Sequence, residues 1–435
     1  MKKIYYLFFL LITHFALAQT YKPMDTADYR ERKIFLQNYN INNDAFSKNI
    51  KSHYEGELSR HLNRNYDVFQ KEFRKKVQSK DFHHKSQFNS YIQTLITKLN
   101  EKNASIPAKL IVLIEKDNTP NAASVGDGTL IVNMGLFNWL GNEDQMLAVL
   151  SHEIAHQILM HSLKYQTKKF EATKSSKSQV SEINRFATDA PEKALKLFKN
   201  IVYNNSEERR KNEKQADSLG YILFKNASNF PFEYQNALKN LQLFDTLSPK
   251  IVDKSFYEKT FNLPNAPFKE NWMKMEDFSN YNYTHYNERY NKDSLSTHPE
   301  MEIRIARLAE LNPELRINKP ATKSENTVFT HLKEVARWEV APNYFYAEEY
   351  GLGIYSLLQE KSNESLKDQN YFDTWLGKYF DKIYWARKEY KLNRYLERLE
   401  PQKQDKSYQQ FLSFMWNLSL EDIKNIAEYY QKKSS

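Results

Sequence analysis

Apolar residues recur every three or four positions over most of the chain, and this spacing is typical of amphipathic helices. The first such run covers residues 46–73, within a polar segment that extends from 19 to about 86, and it predicts one long helix. The same spacing predicts a second helix over 90–99. We therefore expect an N-terminal helical segment, 19–86, that packs on the rest of the protein.

The strongest helical pattern covers residues 142–163. Asn142 can cap this helix, and Gln145 three residues later completes a capping-box pattern. The polar stretch that follows, 164–180, has no apolar period and predicts a loop.

Two short apolar runs, 108–114 and 128–134, are candidates for β-strands because turn-forming residues bound them. The stretch between them, 116–127, is rich in turn residues and is expected to connect the two strands. Together these segments predict a small sheet.

Helical spacing returns in the second half of the chain, from about residue 205 past 224 and again from 299 to 311. Residues 312–326 look like a linker, and residues 327–435 predict several packed helices rich in aromatic side chains. The predicted fold class is therefore α+β and mostly helical, with a small sheet followed by an all-helical C-terminal domain, 327–435.

The composition excludes several classes of enzyme and of metal site. The 9 glycines include no phosphate-binding Gly-rich motif, which argues against a dinucleotide-binding or P-loop enzyme. The chain has no cysteine, so any metal site must use His, Asp and Glu, and thiol catalysis and disulfides are excluded. The formal net charge is +9, but Lys and Arg are interleaved with acidic residues along the chain, and we expect no nucleic-acid partner.

Residues 1–18 have the pattern of a signal peptide. Lys2 and Lys3 precede an apolar stretch over 4–12, and Ala16-Leu17-Ala18 forms a small-x-small cleavage site. No later apolar run reaches 18 residues, so no transmembrane helix is expected after cleavage. The expected location is periplasmic or secreted, and peripheral association with a membrane surface stays open.

Residues 152–156 read HEIAH, the pattern that carries the candidate chemistry. Positions i and i+4 of a helix share one face, so His152 and His156 can direct two imidazole nitrogens at one metal ion. Glu153 lies beside the first histidine, where its carboxylate can reach a water molecule at that ion.

A hydrolytic zinc site needs a third protein ligand. The metzincin pattern is excluded because Leu159 and Ser162 replace its glycine and third histidine, and His161 is one residue away from the required position. The alternative lies in residues 213–217, which read EKQAD within a predicted helix. Glu213 can act as the third ligand, and Asp217, on the same helical face, can accept a hydrogen bond from a ligand histidine.

These motifs carry a family resemblance. HEIAH, then EKQAD, then STHPEMEIR at residues 296–304 resemble, in this order, the HtpX-like and CAAX-prenyl-protease-type gluzincins. The stretch from Asn121 to Phe137 before the first motif is also similar to that family. The resemblance implies a zinc metallopeptidase domain over 87–315, of gluzincin type. The chain lacks the transmembrane helices of membrane-embedded members, which argues against prenylated proteins as substrates.

The resemblance also implies functional residues. Zinc would be held by His152, His156 and Glu213, and Glu153 would be the general base for the zinc-activated water. An edge strand near residues 128–134 would pair with a substrate bound as an extended strand. The candidate substrate-binding residues are Asn121, Gly128, Leu130, Val132 and Arg304.

His298 precedes Pro299 and is expected near the N-terminus of the helix that follows. Three roles stay open for its imidazole: a donor to the developing oxyanion, a ligand that blocks the open zinc position, or a capping and packing residue. Arg304, further along that helix, can orient either the site or the substrate.

We therefore expect an exported zinc metalloendopeptidase similar to periplasmic members linked to envelope protein quality control. Its substrates would be unfolded or misassembled proteins, because pairing through the backbone needs little side-chain specificity. The alternative is a chaperone-like or binding factor that uses the protease fold as a scaffold. A structural or storage zinc site is a weaker hypothesis, because such sites usually fill all four positions with protein ligands.

Overall fold

The structure, a computed structural model, describes residues 21–24, 28–107, 109–182, 190–246, 251–275, 301–317, 319–323, 326–400 and 404–434. The expected signal peptide, 1–18, lies outside the described residues. The helices are α1 (Tyr29–His53), α2 (Gly56–Gln78), α3 (Gln87–Lys102), α4 (Gly135–Trp139), α5 (Glu143–Ile158), α6 (His161–Glu182), α7 (Ala190–Ala227), α8 (Glu233–Thr246), α9 (Lys254–Phe261), α10 (Met301–Leu311), α11 (Thr327–Trp338), α12 (Val340–Tyr346), α13 (Tyr350–Ser362), α14 (Gln369–Lys388), α15 (Lys406–Asn417) and α16 (Leu420–Ser434). Short 3-10 helices cover Glu270–Met273, Pro313–Leu315 and Leu392–Arg394.

One mixed sheet of four strands lies among the helices of the first half. Its strands are β1 (Phe82–His83), β2 (Ile111–Glu115), β3 (Ala122–Ser124) and β4 (Thr129–Asn133), in the order β1-β2-β4-β3. The strands β2 and β4 are parallel, and the two outer strands are antiparallel to their neighbours. The α+β, mostly helical fold class is confirmed.

The position of β4 corrects one expectation. The resemblance implies that the edge strand that receives substrate lies near residues 128–134, but β4 pairs with β2 on one side and with β3 on the other. The edge strand is instead β3, which lies in the stretch expected to form only turns. Its residues Ala122, Ala123 and Ser124 are small and give no strand pattern, so backbone pairing with β4 alone reveals the strand.

Both faces of the sheet are covered. Leu130 and Val132 contribute to the main core beneath the sheet, whereas Leu113 faces a cluster formed with Tyr39 of α1 and Phe73 of α2. The N-terminal helices therefore pack directly on the sheet.

These N-terminal helices also differ from the single long helix expected from their spacing. The helix breaks after His53, and α2 begins at Gly56, whose φ of +61° belongs to the left-handed region that glycine adopts at no steric cost. The break lets α1 and α2 fold back on each other, so two antiparallel helices rather than one cover the sheet.

The strongest predicted helix corresponds to α5, and the Asn142 side chain accepts a hydrogen bond from the Gln145 N–H at 3.0 Å, as its capping position predicts. The helix ends earlier than expected, because Met160 adopts a φ of +53° and turns the chain. The predicted loop over 164–180 is wrong: α6 covers this stretch. Its residues are polar but good helix formers, so the absence of an apolar period hid the helix.

Two large cores do not follow the domain boundaries expected from the sequence. The first contains the sheet, α5, α7 and α8, and it also takes in Phe329, Leu332 and Ala336 of α11. The second joins α13–α16 with an earlier segment that includes Tyr257 and Trp272. Residues 252–273, expected in the peptidase domain, thus pack with the C-terminal helices, whereas α11 packs on the peptidase core.

No helix in the described part of the chain is both long and apolar enough to span a membrane.

Candidate active site

Three ligand-type side chains converge between α5 and α7. The Nε2 atoms of His152 and His156 are 3.1 Å apart. Glu213 Oε2 lies 3.4 Å from His152 Nε2, and Glu213 Oε1 lies 3.5 Å from His156 Nε2. The three residues form a group whose ligand atoms all lie within 4.8 Å of one another.

This donor set fits zinc. Two imidazole nitrogens and a carboxylate oxygen are the usual protein ligands of a hydrolytic zinc ion, with bonds of about 2.0–2.2 Å. In a tetrahedral arrangement, bonds of that length put neighbouring ligand atoms about 3.4 Å apart. The observed separations of 3.1, 3.4 and 3.5 Å match this spacing. The residues thus have the identity and the geometry that the ion requires.

Small residues on α7 allow the two helices to approach closely. A Cβ atom added to Gly220 would lie 2.9 Å from the Cα atom of His152 and 2.7 Å from the Tyr234 hydroxyl. Ala216, one turn earlier, is fully buried. Any larger side chain at position 220 would push α7 away from α5, and Glu213 would move away from the two histidines.

A buried carboxylate orients the first histidine. Asp217 Oδ1 lies 3.0 Å from His152 Nδ1, on the opposite side of the ring from Glu213. Arg304 of α10 donates two hydrogen bonds to Asp217, at 2.6 and 2.8 Å, and its Nη1 lies 3.4 Å from Glu213 Oε2. Arg304 is 4% exposed, so its contacts fit a role in orienting this site rather than the substrate.

The edge strand reaches the site through Glu153. The Ser124 N–H of β3 donates a hydrogen bond of 2.9 Å to Glu153 Oε2. On either side of β3, the Asn121 carbonyl accepts from the Asn133 N–H and the Val125 N–H donates to the Thr129 carbonyl, so both residues bond toward β4. Since outward and inward backbone groups alternate in an antiparallel pair, Ala122 and Ser124 direct theirs away from the sheet, toward the face that carries Glu153.

Gln157, one turn after Glu153, fixes the β3–β4 hairpin to α5. Its Oε1 atom accepts from the Ser124 hydroxyl and the Gly128 N–H, both at 3.2 Å, and its Nε2 atom donates to the Gly126 carbonyl at 3.0 Å. The helix that carries the two histidines therefore also holds the edge strand in position.

The charges of the site favour a cation between its carboxylates. Burial alone would lower the pKa of His152, but hydrogen bonds to Asp217 and Glu213 raise it to about 10. Burial alone would raise the pKa of Asp217, but the charge of Arg304 lowers it to about 2. Burial lowers the pKa of His156 to about 3 and raises the pKa of Glu153 to about 7.

The candidate substrate residues divide into two groups. Leu130 and Val132 point into the core and are 1% and 0% exposed, so neither side chain can contact a substrate. Gly128 lies in the hairpin turn, where its N–H donates a hydrogen bond to Gln157 Oε1. Asn121 is exposed and directly precedes the edge strand. His298 lies outside the described residues.

A third histidine, His161, lies at the site, although its position in the sequence only excludes it from the metzincin pattern. His161 is 3% exposed, and its Nδ1 atom lies 2.9 Å from Nδ1 of His156. Its Nε2 atom lies 3.1 Å from Gln215 Oε1 on α7. Only the turn at Met160 brings His161 back toward His156, and helical spacing from HEIAH could not reveal this contact.

The match to the model of peptidase family M48 covers residues 86–312, slightly more than half of the chain. No curated protein matches the sequence. The matched residues include the His-His-Glu cluster, and members of the family are zinc enzymes, so the resemblance and the zinc cofactor expected from the sequence are confirmed. The chain therefore belongs to peptidase family M48 and is a zinc metallopeptidase, a hydrolase of peptide bonds.

Proposed function

We propose that the protein is an endopeptidase that cleaves extended segments of exported, unfolded or misassembled proteins. His152, His156 and Glu213 hold the zinc ion, and Glu153 acts as general base. The observation that carries this proposal is the convergence of the three ligand atoms beside Glu153, whose carboxylate touches the edge strand.

Glu153 moves the protons of the reaction. When bound, zinc supplies Lewis acidity and lowers the pKa of coordinated water. Glu153 accepts a proton from the attacking water while the water oxygen bonds to the scissile carbonyl carbon. It then donates that proton to the amide nitrogen as the C–N bond breaks, which leaves a new carboxyl group and a new amine.

The edge strand supports an extended substrate. Ala122 directs its N–H and carbonyl away from the sheet and Ser124 directs its carbonyl the same way, so a peptide can add to β3 as a further strand, whereas the Ser124 N–H is bonded to Glu153. Such a peptide would pass beside Glu153, because Ser124 is bonded to that carboxylate. Recognition through backbone groups tolerates many sequences but requires an unfolded segment.

Export is supported by the signal-peptide pattern of residues 1–18, and the absence of cysteine is compatible with either redox environment. An exported peptidase that reads backbone rather than side chains suits the removal of unfolded or misassembled proteins.

The test is substrate trapping with Glu153→Gln in the full chain. We expect this variant to bind one zinc and keep its fold, but to lose roughly 10²–10⁴-fold in peptide turnover, the usual contribution of a general base. Asp67→Asn, at an exposed position on α2, serves as a matched control and should cleave at the wild-type rate.

Three results would overturn this proposal or its substrate class. Turnover of Glu153→Gln within a few-fold of wild type would remove Glu153 from the role of base. A Glu153→Gln protein that cannot cleave but still performs the full cellular task would instead support the chaperone-like alternative. Trapped proteins that are folded, or that are not exported, would contradict the substrate class.

A further inference from the structure

A chain of polar contacts leads away from the second histidine of the site. Nδ1 of His156 faces Nδ1 of His161 at 2.9 Å, and Nε2 of His161 faces Oε1 of Gln215 at 3.1 Å. His161 is buried, whereas Gln215 is exposed and lines a cavity of about 360 Å³ between α6 and α7. The contacts thus run from the site to the surface.

The chemistry of each link fixes the position of its proton. The Nε2 atom of His156 faces the other two ligand atoms, so its lone pair is needed there and its proton belongs on Nδ1. Only one proton can lie between two facing ring nitrogens, so His161 Nδ1 must be the acceptor. His161 then carries its proton on Nε2, where the Gln215 oxygen can only accept.

All three side chains therefore agree on one tautomer for His156. We propose that His161 is a positioning residue that, together with Gln215, holds His156 in the Nδ1–H tautomer and directs its Nε2 lone pair at the metal. This inference rests on the proposed role of His156 as a zinc ligand.

The backbone supports this role. Met160, between α5 and His161, has a φ of +53°, a conformation that residues other than glycine rarely adopt. A strained turn persists only where surrounding contacts maintain it, and such turns are concentrated at functional sites. Here the turn brings the His161 ring against His156, five residues earlier in the chain.

The two histidines are thus oriented by different groups. His152 has the Asp217 carboxylate as its acceptor, and His156 has a neutral imidazole. A neutral acceptor fixes the ring without adding a further carboxylate to a site that already contains Glu153, Glu213 and Asp217. Both imidazoles are thus oriented without further negative charge at the site.

The experiment measures the zinc affinity of the full chain by competition with a chelator of known affinity. His161→Leu removes the acceptor, and we expect zinc to bind about 10–100-fold more weakly, the usual effect of losing the partner of a ligand histidine. His161→Asn offers an amide oxygen near the position of Nδ1, and we expect it to restore most of the affinity. In ¹⁵N spectra of the zinc-loaded protein, His156 should bind zinc through Nε2 and carry its proton on Nδ1.

A second pair of variants avoids the buried position, because a change at a buried residue can prevent folding. Gln215→Leu alters an exposed residue, and we expect zinc affinity to fall by roughly 3–10-fold, less than for the direct contact. Gln93→Leu makes the same change at an exposed position on α3, and it should leave affinity unchanged. If His161→Leu does not fold, this pair decides the question.

Three results would overturn the inference: zinc affinity of His161→Leu within twofold of wild type, equal losses for His161→Leu and His161→Asn, or coordination of His156 through Nδ1. His156→Ala separates these failures from a failure of the proposed function. If His156→Ala retains full zinc affinity, the ligand assignment itself is wrong. If it loses zinc while His161→Leu does not, only the positioning role is wrong.

Discussion

At the scale of single residues, the Asp217 carboxylate has two hydrogen-bond partners. It accepts from His152 and from two nitrogens, Nε and Nη2, of the buried Arg304 guanidinium. In Asp217→Asn the amide loses the negative charge that Arg304 needs, and removing one member of a buried ion pair costs about 3–5 kcal/mol of folding free energy. We expect zinc affinity to fall by about 10–100-fold as well.

Chelator competition and denaturant unfolding measure these two effects separately, with Asp67→Asn as the surface control. A variant that is destabilised but binds zinc normally would mean that Asp217 serves Arg304 alone. A variant that is stable but binds zinc weakly would mean that Arg304 finds sufficient compensation in Glu213, which lies 3.4 Å away.

The ligand residues could be predicted from sequence because helical spacing converts directly into a shared face. Two such pairs, one i and i+4 pair on each helix, direct both of their side chains into the site: His152 with His156, and Glu213 with Asp217. His161 could not be predicted in this way, since its place depends on a turn at Met160 that no local pattern specifies.

At the scale of elements, the hairpin that carries the edge strand is held from two sides. Gln157 fixes it to α5, and from the other side Asp127 accepts hydrogen bonds from Tyr39 of α1 at 2.9 Å and Tyr66 of α2 at 2.8 Å. Further bonds through Asn43 and Gln70 connect the two tyrosines. The N-terminal helices therefore position the hairpin as well as covering the sheet.

The double variant Tyr39→Phe/Tyr66→Phe tests this arrangement. It removes two hydrogen bonds to the Asp127 carboxylate, each contributing roughly 1.5–3 kcal/mol, and the bonds of the two hydroxyls to Asn43 and Gln70, without changing the packing of the rings. We expect lower stability and a several-fold lower kcat/KM for peptides, with zinc affinity unchanged because no zinc ligand is altered. Tyr29→Phe, at a position on α1 that is 68% exposed, is the control. Unchanged peptide kinetics would mean that α1 and α2 only cover the sheet.

Helices and strands could be predicted where burial of apolar side chains alone sets the sequence pattern. The apolar runs of β2 and β4 and the spacing of α5 reflect burial; both strands form close to their predicted bounds, and α5 begins where predicted but ends at Ile158. Prediction failed for β3 and α6, because the small residues of β3 are held by backbone pairing and α6 is polar on most of its surface. The break between α1 and α2 was also missed, since apolar spacing continues across it while the backbone turns at Gly56.

At the scale of the whole molecule, the family match and the folded units do not coincide. The match ends at residue 312, yet α11 beyond it supplies Phe329 to the first core. Within the match, Trp272 belongs to the second core, where its indole N–H donates to Asp422 and its ring lies against Phe414. Glu339, at the end of α11, also accepts hydrogen bonds from Tyr21 and Met24 near the other end of the chain.

This interleaving predicts that the matched region cannot fold by itself. A chain that ends at residue 312 lacks α11 and exposes the aromatic side chains of 252–273, and each large apolar side chain that loses its burial costs about 1.5–3 kcal/mol. A chain that ends at 338 regains α11 but still leaves those aromatics uncovered. We expect both fragments to aggregate or to unfold at a much lower temperature than the full chain, and the shorter one to be the worse. Thermal unfolding followed by circular dichroism, together with binding of an apolar dye, measures both effects.

Trp272→Ala in the full chain provides the comparison within one intact molecule, with an expected cost of about 3–5 kcal/mol of folding free energy. A monomeric fragment ending at 312 that unfolds at the full-length temperature and cleaves peptides would show instead that the second core is independent, and that the peptidase needs nothing beyond its matched residues.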